Sequence, residues 1–118
     1  MSIRIYGISQ CNTVKKARQW LQEHKIDAEF IDFKKTPPIA TDIQFWLTQI
    51  PKETLINRKG TTWRKLSAID QQDALCSNEA AIQLMMNQPS VIKRPVLIND
   101  NQRVLVGFDA AKYSEFLA

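Results

Sequence analysis

The chain has 118 residues, 44% of them hydrophobic and 24% charged, which fits one globular domain with a modest core and leaves two domains marginal. No stretch approaches the roughly 20 apolar residues of a membrane span, and the first seven residues carry Arg4 inside their apolar run without a small-residue cleavage site, so a cytoplasmic protein is expected. The formal charge of +4 favours anionic ligands only weakly, because basic residues are scattered among carboxylates; no nucleic acid or membrane partner is expected, and a monomer is the default.

Ile3, Ile5 and Tyr6 make a short β pattern ending at Gly7, where a turn can begin. From Asn12 to His24, Val14, Ala17, Leu21 and His24 recur at helical spacing while Lys15, Arg18, Gln19, Gln22 and Glu23 take other faces, which predicts an amphipathic helix. Residues 28–33 form a second β-type run, and this succession favours a parallel βαβ unit with a right-handed crossover. After the charged, proline-containing break at 34–38, Thr41 is placed to cap a helix with an inner face of Ile43, Trp46, Leu47 and Ile50, stopped by Pro51. Residues 52–76 are less periodic, with Leu66 and Ile69 marking one short helix; Ser77 then opens a helix closed by Asn87 and Pro89. Residues 91–98 return to β character, "NDNQ" turns the chain, 103–106 supplies a hairpin partner, and Asp109 caps a last helix burying Tyr113, Phe116 and Leu117. The order βαβ, helical block, ββα predicts an α/β fold with a mixed four-stranded sheet flanked by helices. It is read as one domain over 1–118, its sheet-containing core at 1–35 and 90–118 and its helical insertion at 36–89.

Cys11 stands where the first strand gives way to the first helix. There the unpaired N–H groups of Thr13 and Val14 and the positive end of the helix dipole favour a thiolate, and the pKa of such thiols falls to about 3.5–7.5. Thr13 can add a hydroxyl, and Lys15 and Lys16 positive potential. The competing reading is a small buried hydrophobe. Residue 14 is Val, so no C-x-x-C redox pair is present. Cys76 lacks a nearby basic pair and reads as an ordinary thiol rather than a resolving one. His24, on the apolar helix face, suits core packing or a local hydrogen bond. With one histidine and two cysteines 65 positions apart, the usual zinc spacings are missing and no metal is expected. The tryptophans read as core or interface anchors.

Three stretches, "YGISQCNTVKKARQWL", "LINRKGTTWRKL" and "PSVIKRPVLI", together resemble the ArsC/Spx/YffB family, the arsenate reductase-like branch of the thioredoxin superfamily, and most resemble its YffB-like subgroup. The resemblance spans essentially the whole chain. It implies a thioredoxin-like sheet interrupted by a helical subdomain, with the family's reactive cysteine on Cys11 and its basic residues on Arg58 and Arg94. Guanidinium groups suit such a site because they stay charged and present two-pronged donors to oxyanions and carboxylates. Arg64 is a weaker candidate. Pro95 is implied to follow a cis peptide bond and to shape a backbone edge opposite the thiol. Arsenate reductases carry a third arginine after the hairpin turn; here the matching position is Val106, with Arg103 on the turn side.

The implied activity is a glutathione-dependent thiol reductase with one nucleophilic cysteine. Cys11 is catalytic; Arg58, Arg94, Pro95, Thr13 and Lys15 stabilise the thiolate or hold the ligand. No cofactor is expected to be bound, and glutathione is a co-substrate beside a small or protein disulfide. The alternatives are an arsenate reductase, a Spx-like redox-responsive transcription regulator without turnover, and a non-enzymatic member of the fold with an inert Cys11.

Overall fold

A computed structural model describes residues 2–118. The described residues divide into two compact units, one of residues 2–36 and 94–118 and one of residues 37–93.

The first unit contains strands β1 (Ile3–Gly7), β2 (Ala28–Asp32), β3 (Val96–Ile98) and β4 (Val104–Val106), with helices α1 (Asn12–Glu23) and α7 (Ala110–Phe116). The sheet order is β2-β1-β3-β4. β1 and β2 run parallel, with Ile5 opposite Phe30, while β1–β3 and β3–β4 are antiparallel. One face of the sheet, carrying Ile5 and Leu97, packs on Ala17 and Leu21 of α1 and Tyr113 of α7. This is the amphipathic stripe expected of α1, and each large apolar side chain buried there contributes about 1.5–3 kcal/mol. The fold is therefore the mixed, thioredoxin-like four-stranded sheet that the sequence predicts.

Local chemistry sets the element ends. Lys25, at φ 56°, stands just past α1, and Ile26 N–H donates to Leu21 O at 2.9 Å, the six-to-one bond of a Schellman ending. Asp109 caps α7 through Lys112 N–H, as expected. Tyr113 is fully buried, Phe116 and Leu117 partly. Gly7 lies so close to α1 that a Cβ there would stand 2.7 Å from Val14 Cγ2.

The second unit is helical: α2 (Ala40–Leu47), α3 (Lys52–Leu55), α4 (Thr61–Arg64), α5 (Ala68–Cys76) and α6 (Asn78–Asn87), followed by a 3₁₀ turn at Pro89–Val91. Ser77 caps α6 as expected, accepting from Ala80 N–H. Three expectations change. The N-cap of α2 is Ile39, without a side-chain bond, so Thr41 lies inside the first turn rather than capping it. The stretch 52–76 holds three short helices instead of one; Leu66 sits in the turn between two of them, and Ile69 is 69% exposed. The β character of 91–98 yields a strand only from Val96. Ahead of it, Ile92 bridges to Ile56 and Lys93 N–H donates to Leu55 O, which ties residues through Lys93 to the helical unit. The sheet unit thus resumes at Arg94 rather than at 90.

Candidate functional site

β1 delivers the chain to a turn in which Cys11 N–H donates to Ile8 O at 3.0 Å. Cys11 is the N-cap of α1, at φ −74° and ψ 127°, and its sulfur forms no conventional capping bond. The backbone N–H groups of Val14 and Thr13 instead approach it from the first turn. The side chain is half-buried, and the thiol is free.

Partial burial pushes the Cys11 thiol up, because it disfavours the charged form. The Val14 amide, a hydrogen bond from Arg94, the Thr13 amide and the positive charge of Arg94 act in the opposite direction and together outweigh it, bringing the pKa below its ordinary 9.0. The sulfur is therefore placed where its anion is favoured, which an inert buried thiol would not be.

Arg94 reaches this position from the start of the returning chain. The Arg94–Pro95 peptide is cis, and Pro95, buried, immediately precedes β3. Its carbonyl accepts from Gly107 N–H at 2.9 Å, so the residue lacking an amide hydrogen serves the sheet only as an acceptor. Gly107 adopts φ 81°, a left-handed conformation open to glycine, and its carbonyl accepts the Tyr113 hydroxyl at 3.0 Å.

The fold thus brings together Cys11, Thr13 and Arg94, the first at the end of β1 and the last beside β3. What Thr13 supplies to the sulfur is its backbone N–H. Lys15 is exposed and lines a groove between α1 and β2 with Arg18 and Phe30; it is not among the groups that shift the thiol. Arg58 is exposed and belongs to the helical unit, between α3 and α4. Val96 pairs with both Tyr6 and Val106, so Val106 lies at the Cys11 end of the sheet, while Arg103 flanks the turn at the opposite end. Cys76 ends α5 and is exposed. His24 is exposed, stacked on Trp20 with its Nδ1 2.8 Å from Trp20 O, which realises the local hydrogen bond rather than core packing.

Two features of the sheet-containing unit went unread in the sequence. Lys34 Nζ donates to Gln10 Oε1 at 2.7 Å, tying the turn after β2 to the loop before Cys11 across 24 positions, and no local pattern signals such a contact. The Arg18 guanidinium lies 4.0 Å from the centroid of the Phe30 ring. A parallel βαβ reading that placed Phe30 beneath α1 could have found it. Among the described residues, no cluster of three His, Cys, Asp or Glu side chains could hold a metal ion, and no helix is long and apolar enough to cross a membrane.

Comparison with known proteins agrees with this geometry. The model of the ArsC family matches residues 6–116. A solved YffB protein is 42% identical, with a TM-score of 0.91, over 99% of this chain and 100% of its own. An uncharacterised protein of Haemophilus influenzae is 33% identical over 98% of this chain and 99% of its own length. The global transcriptional regulator Spx 1 of Lactococcus lactis is 30% identical over 98% and 88% respectively. With its arsenate reductase-like thioredoxin fold, the chain belongs to the ArsC family.

Proposed function

We propose that the protein is a cytoplasmic, glutathione-dependent thiol reductase that works as a monomer with Cys11 as its single nucleophile. The observation that carries this reading is the Cys11 sulfur, half-exposed at the start of α1 and held below its ordinary pKa by two backbone amides and Arg94.

The Cys11 thiolate attacks the glutathionyl sulfur of a mixed disulfide. The substrate S–S bond breaks, a Cys11–glutathione disulfide forms, and the substrate leaves as a thiolate that takes a proton from water. A second glutathione thiolate then attacks the glutathionyl sulfur, releasing the Cys11 thiolate and oxidised glutathione. Substrate sulfur is reduced and two glutathione sulfurs end joined. Arg94 stabilises the departing and returning Cys11 anion, Arg58 holds a ligand carboxylate, and Pro95 offers a backbone edge to the thiol peptide.

Turnover of the mixed disulfide of glutathione and 2-mercaptoethanol tests this. Cys11→Ser is expected to abolish it and Cys76→Ser to leave it unchanged; full activity in Cys11→Ser overturns the reading. Arsenate reduction is disfavoured because Val106 occupies the Cys11 end of β4, where a third cation would be needed. Each charge-assisted contact to an oxyanion contributes about 1.5–3 kcal/mol. Arsenite production measured beside disulfide exchange separates the two chemistries. A Spx-like switch is disfavoured because position 14, where a second thiol would stand, is a fully buried valine.

A further inference from the structure

The β3–β4 ladder pairs Ile98 with Val104 and Val96 with Val106, and one step further it sets Pro95 opposite Gly107. Asn99 N–H donates to Arg103 O at 3.1 Å, so by alternation Pro95–Gly107 is again a pair that should exchange two main-chain bonds. One of them is made, from Gly107 N–H to Pro95 O at 2.9 Å. The other cannot form, because proline has no amide hydrogen to return to the Gly107 carbonyl. The Tyr113 hydroxyl takes that place, donating to Gly107 O at 3.0 Å in a buried bond.

The replacement donor is held firmly by its surroundings. Tyr113 is fully buried. Its ring meets Phe108 and Trp20 edge-on, with centroids 4.9 and 5.6 Å apart, and its N–H donates to Asp109 O at 2.9 Å. Trp20 belongs to α1, the helix that Cys11 caps. The hydroxyl thus joins α7 to the end of β4 and, through the Gly107 amide, to Pro95. Arg94, which bonds the Cys11 sulfur, is the next residue along the chain. Cys11, Arg94, Pro95, Gly107 and Tyr113 all lie in the sheet-containing unit. Hydrogen bonds weaken steeply as their geometry is lost, so Arg94 serves the sulfur best while Pro95 is fixed.

We infer that Tyr113 is a positioning residue for Cys11: its hydroxyl completes the main-chain pair that Pro95 leaves open and so fixes the point from which Arg94 reaches the sulfur. The inference rests on the reading of Cys11 as the nucleophile of a thiol reductase.

The test is made in a Cys76→Ser background, which leaves Cys11 as the only thiol. Tyr113→Phe keeps the ring and removes the hydroxyl alone. It is expected to move the midpoint of iodoacetamide alkylation to higher pH, so that Cys11 reacts about threefold more slowly on the acid side of the midpoint. Hydrogen exchange at the Gly107 amide should quicken. Added to Arg94→Met, the same substitution should slow alkylation no further, since its effect runs through Arg94. Phe116→Leu loosens the same core without touching the hydroxyl; it should lower stability to urea and leave alkylation unchanged. Unchanged alkylation in Tyr113→Phe, or equal slowing with and without Arg94, overturns the role of Tyr113 while leaving Cys11 chemistry intact. Slower alkylation in Tyr113→Phe, beside a wild-type protein that turns over no mixed disulfide, overturns the reductase reading instead.

Discussion

Arg94 acts on the Cys11 sulfur twice, as a hydrogen-bond donor and as a charge, and both contributions lower the thiol pKa. In Arg94→Met both disappear while the aliphatic stem is replaced. Alkylation by iodoacetamide as a function of pH should show a midpoint below 9.0 in the wild-type protein and a higher one in the variant. At neutral pH the variant should therefore alkylate more slowly, by about tenfold for each unit the midpoint rises, because only the thiolate reacts. A midpoint that does not move would remove Arg94 from the thiol's surroundings. Cys11 itself was legible because a thiol at a strand-to-helix junction has an electrostatic meaning whatever the rest of the chain does. Arg94 was not legible from its neighbours: 83 positions separate it from Cys11, and only the resemblance to a family joined the two.

Just past α1 stands Lys25, a non-glycine residue in the left-handed region at φ 56°. Such a conformation costs an L-residue about 1–2 kcal/mol, and glycine's larger entropy loss on folding returns part of any relief. Lys25→Gly is therefore expected to stabilise the protein by about 0.5–1 kcal/mol, measured by urea unfolding, with the slope unchanged. Elements with strong periodicity or a capping side chain, such as α1, α6 and α7, could be read directly. Ser77 and Asp109 accept amide hydrogens at their helix starts, as their type and position predict. The failures lie where long-range pairing overrides local preference. Ile92 has β propensity, but its partner is Ile56, in a bridge rather than a sheet. Thr41 is a good capping residue two positions past the N-cap Ile39, since the chain already enters helical geometry at Ala40.

For the whole molecule, Tyr113 joins the apolar core to the sheet. It is fully buried, meets Trp20 and Phe108 edge-on, and donates its hydroxyl to Gly107 O. Burial pushes its pKa above the ordinary 10.0. Its folded pKa lies above the unfolded one, so its full contribution to stability is present below pH 10 and is lost as the pH climbs past the unfolded value. Tyr113→Phe should unfold more easily at pH 7, by about 1 kcal/mol for the lost hydrogen bond, yet lose less stability between pH 9 and 11 than the wild type. Chemical denaturation at several pH values checks both. The narrow clearance between Gly7 and Val14 carries a different kind of consequence. An extra methyl at residue 7 would shove the opening coil of α1 outward and take two amide hydrogens away from the sulfur. The most inert side chain in the chain thus acts as a spacer gauge for its most reactive atom, and damage to it would masquerade as a chemical defect.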